Sequence, residues 1–547
     1  MSARKPFVLL VSLSAIAFLA ACGGNGTAPA NAVAPPTGGG FSNANLNGTY
    51  VFSVSGSDAN GDPISVAGTL TANGSGTITG GAVDMNDTEF TTPAPNLPIT
   101  SSSYDVTVDG RCLTKLNVKN PFGNTLTLDI VLQDSSHGLV SEFDAVSNGS
   151  GATGSGTIDL QSSGVTPSGA YAFGLSGTGV TSAAAVDTLA AVGNFTVASG
   201  GGFTGTADFN EEAFPYTDQA LSGKIVLGPS STPTTQFTTA QFGTQTFDAI
   251  AIDSTHLKLI EMDTAGTLVG DAFSQPTTTM PTGTLAFTMA GSYPSTDSVS
   301  AVGGFMVTDG NGNITDSSSV DLNNSGTVSP SSTAFTGTYT AAGTGRYTLA
   351  LATFTDGSAY VAYPSSNGVF LLEVDPAGTG LMSGTAYTQS ATATLGVPDG
   401  YALNLSGLNL GDAEEGESPS EVDDIAEFAT VSGGTLTGII DENSLVQTVV
   451  GIAFSDGAFT TPSAGRGQIT AAASTSSTST LNGGFNLTYY AVDGTTFPFI
   501  ETDTNQVATG VFVLQNASGS SSAVAKTHAM YVPHPFIHGH SAKQKND

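Results

Sequence analysis

Several residue types that would support common functions are scarce or absent from this chain of 547 residues. It contains no tryptophan and two cysteines, and 12 lysines and arginines stand against 45 aspartates and glutamates. Two cysteines exclude a disulfide-rich scaffold. Nucleic-acid binding needs clustered basic residues to contact phosphates, so a formal net charge of −33 argues against a nucleic-acid partner.

Long hydrophobic runs are also missing, apart from residues 6–19 near the amino terminus. That run is shorter than the ~20 residues that a membrane-spanning helix needs. It follows Arg4 and Lys5 and leads into the sequence Leu-Ala-Ala-Cys at 19–22. A basic start, an apolar segment, small residues and a cleavage point are the layout of an export signal.

The residues at 19–22 resemble the lipobox of bacterial lipoproteins. This resemblance implies that residues 1–21 are a signal peptide and that Cys22 carries the lipid, including palmitate. It also implies a partner, membrane lipid, and a location in the cell envelope, at the outer membrane because no aspartate follows Cys22. Cys112 then has no cysteine to pair with, and we expect it to be a small buried hydrophobic side chain.

A repeated pattern follows the signal, and it organises the rest of the chain. In each of four segments an aromatic or leucine-rich strand opening is followed by Asp-x-Asn, then by glycine plus a base, and finally by Glu-x-Asp. Four markers in one order, four times, indicate internal duplication. The leading residues of the last three markers are Asp84, Asp208, Asp321 and Asp441; Arg111, Lys224, Arg346 and Arg466; and Glu142, Glu261, Glu373 and Glu501.

The spacing between copies is too long for a solenoid repeat, so each copy is expected to be a domain with its own core. The segment before them is rich in glycine, proline and alanine and is expected to be a flexible tether. The predicted order is a tether at 22–45, units at 46–162, 167–277, 282–391 and 395–517, and a disordered tail at 518–547.

Each unit is predicted to be an all-β antiparallel meander. In the first unit, alternating apolar residues and glycine-rich turns predict strands near 49–55, 64–71, 76–83, 103–108, 111–118, 124–132, 138–144 and 153–160. Closing eight strands into a barrel would remove the exposed edges, and a β-sandwich is the alternative. A filled barrel interior would leave only loops and outer faces for a ligand.

The lipobox, the glycine-rich tether, the Tyr-x-Phe openings and the turn Asp-Gly-Asn-Gly at 309–312 occur together here. In this combination the chain resembles tandem-repeat lipoproteins of environmental bacteria. The resemblance covers nearly the whole chain after the signal and implies the architecture, but it carries no activity.

The repeated ionisable residues are expected to be structural. Glu-x-Asp puts two carboxylates on one face of a strand, behind apolar residues, and an unpaired buried charge is costly. We expect each base to pair with the Glu-x-Asp or Asp-x-Asn of its own unit, more loosely at Lys224, because an ammonium group cannot bind a carboxylate with two parallel bonds. A ligand-binding acid–base cluster repeated four times is the alternative.

Two turns, at 58–62 and 309–313, have the alternating Asp and Asn side chains of a calcium loop. An EF-hand also needs glycine at its sixth position and an acid at its twelfth, and both turns lack them. Hairpin turns use the same residue types. We therefore expect ordinary turns, with neither calcium nor another cofactor.

Two further charged segments stand out. Residues 412–427 contain eight acids in sixteen positions and are expected to form a solvated loop, with a cation or basic partner as the alternative. The tail carries His528, His534, His538 and His540. Terminal segments are usually disordered, so we expect incidental metal affinity there.

No catalytic motif is evident, so we expect a non-catalytic binding module whose partner is a polysaccharide or another envelope protein. A serine triad needs a histidine base, and the units contain only His137 and His256, which the marker alignment does not place at matching positions. Glycosidases need only two carboxylates, so a hydrolase in one diverged copy is the first alternative. A structural spacer without a ligand is the second.

Overall fold

A computed structural model provides the structure. It describes residues 40–519 except 122, 146–150, 181–185, 294–295, 297, 330, 355–356, 391–392, 412–418, 446–447, 461–463 and 474–484. The predicted signal, Cys22 and all but the first two residues of the tail lie outside the described residues. Within them, no helix is long and apolar enough to cross a membrane.

Strands dominate the described chain, and they fall into four groups that follow one another in sequence. The first group is β1 (Asn47–Asp58), β2 (Pro63–Asn73), β3 (Thr77–Asp87), β4 (Ala94–Thr100), β5 (Ser102–Ser103), β6 (Arg111–Asn120), β7 (Gly123–Leu132), β8 (His137–Glu142) and β9 (Ala152–Leu160). The second is β10 (Gly169–Val180), β11 (Val186–Val197), β12 (Gly202–Glu211), β13 (Phe214–Lys224), β14 (Thr235–Thr239), β15 (Gly243–Asp253), β16 (His256–Glu261) and β17 (Val269–Ser274).

The other two groups repeat this order. The third is β18 (Gly283–Tyr293), β19 (Ser298–Thr308), β20 (Asn313–Asn324), β21 (Thr327–Val328), β22 (Thr333–Gly343), β23 (Arg346–Ala352), β24 (Ala359–Ser365), β25 (Gly368–Glu373) and β26 (Leu381–Thr388). The fourth is β27 (Gly400–Asn409), β28 (Ser420–Val431), β29 (Thr435–Ser444), β30 (Thr448–Phe459), β31 (Arg466–Ala473), β32 (Phe485–Tyr490), β33 (Thr496–Glu501) and β34 (Gln506–Leu514). We call these groups units 1 to 4.

Each unit is an antiparallel meander whose last strand pairs with its first. In units 2 and 4 the eight strands form a closed barrel. In units 1 and 3 the pairings β2–β3 and β19–β20 join the two ends of the main strand order, so eight strands again form a ring, with a two-residue strand added beside β3 or β20. The prediction of four tandem all-β units is confirmed, and the barrel is preferred over the sandwich.

One predicted strand of unit 1 is misplaced. The fourth strand was expected near 103–108, whereas the structure has β4 at Ala94–Thr100. Two prolines lie in that stretch, at positions 95 and 98, and proline cannot donate to a strand ladder. The prolines make this strand hard to predict from the sequence, and it pairs with β3 and β6 over only a few residues.

The barrel interiors are filled with apolar side chains. Unit 2 illustrates this with a chain of ring contacts among Phe173, Phe195, Phe203, Phe237 and Phe247, whose centroids are 4.8–5.9 Å apart. Cys112 belongs to the equivalent core of unit 1 and is 1% exposed. Each unit has such an apolar core among its described residues, and close packing of this kind leaves little room there for a ligand.

Four smaller apolar clusters lie between barrels, and together they close a ring. They join units 1 and 2, units 2 and 3, units 3 and 4, and finally units 4 and 1. The last cluster includes Val131 and Leu139 from unit 1 and Val511 and Val513 from unit 4. The four barrels therefore contact each other cyclically.

The two ends of the described chain meet at this closure. Asn45 Nδ2 donates to the carbonyl oxygen of Ala517 at 2.7 Å. Phe41 is buried in the core of unit 1, and residues Asn43–Asn45 form a short 3-10 helix. The expected tether at 22–45 is therefore too long, because its last residues are packed against unit 1.

Candidate functional site

The arginines of units 3 and 4 lie at unit interfaces. Arg346 donates from Nε and Nη2 to Asp208 at 2.8 and 2.6 Å. Arg466 makes the same two bonds to Asp321 at 2.9 and 2.8 Å. Each planar guanidinium thus holds a carboxylate of the preceding unit in two-bond geometry. The expectation that these bases pair within their own unit is wrong.

A tyrosine of the arginine's own unit completes each of these two sites. The Tyr363 hydroxyl donates to Asp208, and the Tyr490 hydroxyl donates to Asp321 at 2.9 Å. The Arg346 and Asp208 side chains are 7% and 0% exposed, whereas Arg466 and Asp321 are 29% and 3% exposed. Sequence analysis missed both tyrosines, because apolar residues occupy their places in the other units.

At the interface of units 4 and 1, Arg111 divides its contacts. Its Nη2 lies 2.9 Å from Asp109 Oδ2 in its own unit, and its Nη1 lies 3.6 Å from Asp441 Oδ2 in unit 4. Asp129 faces Asp441 here, and burial followed by the charge of Asp441 raises the pKa of Asp129 well above its usual range. This interface thus carries more carboxyl groups than its cation can neutralise.

At the interface of units 1 and 2 the buried cation is Lys258 of unit 2, whose Nζ donates to Thr157 Oγ1 of unit 1 at 2.8 Å, and the repeat base of unit 2 takes no part. Lys224 is exposed and makes no ion pair with any described residue, so the loose pair expected there is not formed. Asp84 instead faces Asp248 of unit 2, and burial, assisted by that charge, raises the pKa of Asp84 to about 8. Two carboxyl groups at this point favour holding a proton between them.

The asparagine of every Asp-x-Asn also crosses to the next unit. Its amide nitrogen donates to the backbone at or just after that unit's Glu-x-Asp. The bonds to the Glu carbonyl oxygens are Asn86 to Glu261 at 2.9 Å, Asn210 to Glu373 at 3.0 Å, Asn323 to Glu501 at 3.0 Å and Asn443 to Glu142 at 2.8 Å. The last bond runs from unit 4 to unit 1 and closes the ring.

The glutamate side chains themselves are buried. Glu142, Glu261, Glu373 and Glu501 are at most 1% exposed, and none forms an ion pair with a repeat base in the described part of the chain. Glu261 accepts from Gln245 Nε2 at 2.9 Å and from the Leu268 N–H at 3.0 Å. Burial nevertheless raises the pKa of Glu261 to about 8, so this group favours the protonated form.

A second crossing residue was missed in the sequence. A glutamine lies just after the last strand of each unit, and its Nε2 donates to a carbonyl oxygen of the next unit. The bonds are Gln161 to Ala251 at 2.7 Å, Gln275 to Pro364 at 2.8 Å, Gln389 to Ala491 at 2.8 Å and Gln515 to Leu132 at 2.9 Å. The last of these again joins unit 4 to unit 1.

A cavity of about 700 Å³, open to solvent, lies where the four units meet. Its lining comes from the turns β7–β8, β15–β16, β24–β25 and β32–β33, from the ends of β9, β17 and β26, and from the linkers between units. The lining residues are Ser136, His137, Leu160, Gln161, Ser162, Asp253, Thr255, His256, Phe273, Pro281, Ser365, Ser366, Asn367, Gly368, Tyr387, Thr388, Val492 and Asp493. We call this space the axial cavity.

The two histidines of the axial cavity occupy equivalent positions, which corrects the sequence interpretation. His137 and His256 are the first residues of β8 and β16, the strands that end in Glu142 and Glu261. The length of the apolar run before Glu-x-Asp could have shown this. The corresponding strands of units 3 and 4 begin at Gly368 and Thr496.

Each histidine is held by an aspartate. His137 Nδ1 lies 2.8 Å from Asp159 Oδ1, and His256 Nε2 lies 2.6 Å from Asp271 Oδ1. His256 also stacks on Phe273 with ring centroids 4.1 Å apart. His137 Nε2 is buried and has no hydrogen-bond partner among the described residues. A buried ring nitrogen without a partner is uncommon in folded proteins.

The acidic segment at 412–427 differs from its prediction. Residues 412–418 lie outside the described residues, but Ser420–Val431 form β28, and Glu421, Asp423, Asp424 and Glu427 are all buried. Ser57 donates to Glu421, and Thr153 Oγ1 donates to Asp423 at 2.8 Å. The second half of the segment is thus a strand at the interface of units 4 and 1, and not a solvated loop.

No protein-family model matches the sequence, and no curated protein matches it. Structural matches include a variant of the vaccine antigen transferrin binding protein B from Haemophilus parasuis Hp5 (9% identity, 70% of this chain, 83% of that chain, TM-score 0.16) and the isotype 1 protein from serogroup B Neisseria meningitidis (10%, 70%, 84%, 0.17). The intact two-lobe Ap-TbpB matches with 11% identity over 86% of this chain and 95% of that one, at a TM-score of 0.18. At such TM-scores the likeness carries no functional argument.

Proposed function

We propose that this protein is a non-catalytic, lipid-anchored binding protein of the bacterial cell envelope, and that its axial cavity holds a neutral, hydroxyl-rich ligand such as the end of an oligosaccharide. The observation that supports this most is the axial cavity itself, which has His137 among its lining residues. Its volume lies within the roughly 300–1,000 Å³ of typical ligand sites. The filled barrels favour this space over any barrel interior.

The lining chemistry favours hydroxyl groups over ionic ligands. None of the described residues that line the axial cavity is a lysine or an arginine, which disfavours phosphates and other anions. Carboxylates and amides such as Asp253, Asp493 and Asn367 can accept or donate to hydroxyl groups. Aromatic rings, including Phe273 and Tyr387, offer apolar surface for the C–H faces of a sugar.

His137 is the lining residue that we expect to recognise a particular group of the ligand. His137 Nδ1 lies 2.8 Å from Asp159 Oδ1, which leaves Nε2 as the second hydrogen-bonding atom of the ring. Nε2 is buried, so a ligand hydroxyl would reach it only when the ring turns toward the cavity, and the bond would then satisfy a nitrogen whose loss of hydrogen bonding costs about 1–3 kcal/mol. We therefore infer that His137 selects ligands with a hydroxyl donor.

A glycan array followed by titration calorimetry on the best neutral oligosaccharide tests this function. We expect binding by the full chain in detergent, weakened at least about tenfold by His137→Leu because one buried hydrogen bond is lost. Asn367→Ala should weaken it too. Asn311→Ala, in an exposed turn of the same unit, is the matched control and should leave affinity unchanged.

Three outcomes would contradict the proposal. Absence of binding to any glycan would favour a structural spacer. Binding that His137→Leu and Asn367→Ala leave intact would move the site to another surface. Hydrolysis of a bound glycan that Asp253→Asn or Asp493→Asn abolishes would establish the carbohydrate-active hydrolase instead.

The lipid anchor is tested separately. Radiolabelled palmitate should enter the protein in growing cells, and Cys22→Ser should abolish both the label and sedimentation with the envelope, since several acyl chains are needed for stable anchoring. Cys112→Ser is the matched control and should keep the label, because burial raises the pKa of Cys112 to about 12 and keeps its thiol unreactive. Equal labelling of the Cys22→Ser variant would contradict this assignment.

A further inference from the structure

The two histidines of the axial cavity belong to one buried chain of polar contacts that crosses from unit 2 to unit 1. In unit 2, His256 Nε2 and Lys258 Nζ contact the same oxygen, Asp271 Oδ1, at 2.6 and 3.2 Å. Lys258 Nζ also donates to Thr157 Oγ1 of unit 1 at 2.8 Å. These contacts join the histidine of unit 2 to a hydroxyl group of unit 1.

The chain continues inside unit 1. An ammonium group only donates, so the Thr157 hydroxyl accepts from Lys258 and keeps its own proton for another acceptor. Thr157 Oγ1 donates to Asp159 Oδ2 at 3.5 Å, the longest link, and Asp159 Oδ1 lies 2.8 Å from His137 Nδ1. All six residues of the chain are at most 4% exposed, and buried polar groups influence each other more strongly than they would in water.

Lys258 occupies a strand position that is apolar in the other units. It is the third residue of β16, and the third residues of β8, β25 and β33 are Leu139, Phe370 and Pro498. Leu139 and Phe370 belong to the apolar clusters that join their units to the preceding ones. Apolar side chains often stabilise an interface as well as a buried ion pair does, so stability alone does not account for a lysine here.

We propose that Lys258 is a positioning residue of the axial cavity, which fixes the rings of His256 and His137 together. In unit 2 it holds the aspartate that His256 contacts, and in unit 1 it orients the Thr157 hydroxyl toward Asp159. A change at one histidine therefore reaches the other across the interface. For ligand binding this rests on the function proposed above, because it makes the two histidines one recognition surface; the contacts themselves do not depend on a ligand.

NMR of the full chain in detergent, with histidines isotope-labelled at Cε1 and the pH held constant, tests the coupling without a ligand. The four tail histidines are replaced by glutamine, so that the resonances of His137 and His256 remain. We expect Lys258→Met to move both resonances. This variant also leaves Asp271 without its ammonium partner, which costs stability, so a milder pair of variants is tested beside it.

Thr157→Val removes only the hydroxyl link, and Thr157→Ser keeps it. We expect Asp271→Asn to move the His137 resonance as well as that of His256. In the Thr157→Val background the effect on His137 should be lost, and in the Thr157→Ser background it should be retained. A charge effect through space would be equal in both backgrounds. Thr348→Val, at an exposed position of unit 3, is the matched control and should change neither response.

The proposal is overturned if Asp271→Asn moves His256 alone, or if its effect on His137 survives Thr157→Val. Calorimetry with the oligosaccharide that the glycan array selects adds the ligand: Thr157→Val should weaken binding several-fold, and Thr157→Ser should restore it. Unchanged affinity of the Thr157→Val variant would contradict the positioning role. If no oligosaccharide binds while the NMR coupling is present, the proposed function fails and the coupling through Lys258 stands.

Discussion

Arg346→Met is expected to lower the free energy of unfolding by about 3–5 kcal/mol, because breaking one side of a buried ion pair leaves the other charge uncompensated. Asp208 is fully buried and would keep only the Tyr363 hydroxyl and the Asp218 N–H, which donates at 2.7 Å. The melting temperature should fall by about 10 °C. Differential scanning fluorimetry of the full chain measures this shift.

The other repeat bases form a graded series of controls. Arg466→Met should cost less than Arg346→Met, since the Arg466 side chain is 29% exposed and water can replace part of its contact with Asp321. Lys224→Met should change stability by no more than about 0.5 kcal/mol, because this exposed lysine makes no ion pair with a described residue. A loss at Lys224 as large as at Arg346 would show that the series does not depend on ion pairing.

A double variant separates the lost pair from lost packing. Arg346→Met/Asp208→Leu removes both charges, and a buried pair replaced by apolar groups is often neutral in stability. We expect the double variant to recover most of the loss of Arg346→Met. If the losses of the single variants Arg346→Met and Asp208→Leu simply add in the double variant, Arg346 stabilises the interface through its aliphatic stem and not through Asp208.

The repeat markers illustrate how far sequence reasoning reaches. The Asp, Asn, Arg and Glu positions were found from their order alone, and most of them lie at unit interfaces. The partners were assigned to the wrong unit, because a tandem sequence gives the same order whether Arg346 turns back to its own Asp321 or to Asp208 of the unit before. Only the cyclic packing of the barrels decides between them.

Three other features were not predicted from the sequence, each for a different reason. Gln161, Gln275 and Gln389 recur at nearly equal spacing and could have been found. A glutamine in a linker, however, is easily interpreted as an exposed residue without a specific contact. β28 was missed because Glu421, Asp423 and Asp424 indicate a solvated loop when their neighbours are unknown. The axial cavity had no sequence signal, since its lining comes from turns of four units.

Stability is expected to fall as the pH rises from about 5 to 8, because several buried acids are held protonated in the fold. Asp424 and Glu501 belong to unit 4, and both are at most 1% exposed. Burial, then the charges of Glu442 and Asp423, raises the pKa of Asp424; burial, then Asp503 and Asp424, raises that of Glu501. The same direction holds for Glu261, whose pKa is raised to about 8.

The sign follows from proton linkage. Unfolded carboxyl groups lose their protons near pH 4, whereas these folded groups keep theirs to a higher pH, so the native state binds more protons in between and stability has a negative slope with pH. The stabilising contribution is complete below about pH 4 and is lost as the pH rises through the folded pKa values. Carboxylates with lowered pKa values would produce the opposite slope at acidic pH.

Melting curves at pH 5, 6, 7 and 8 and constant ionic strength measure this dependence. We expect the melting temperature to fall by about 5–15 °C across the range. Glu501→Gln should flatten the slope and melt higher than the unsubstituted protein at pH 8, since an amide cannot ionise, while Asp309→Asn should leave the slope unchanged because that exposed carboxylate is ionised throughout. A melting temperature that rises from pH 5 to 8 would mean that cations, and not protons, neutralise the buried acids.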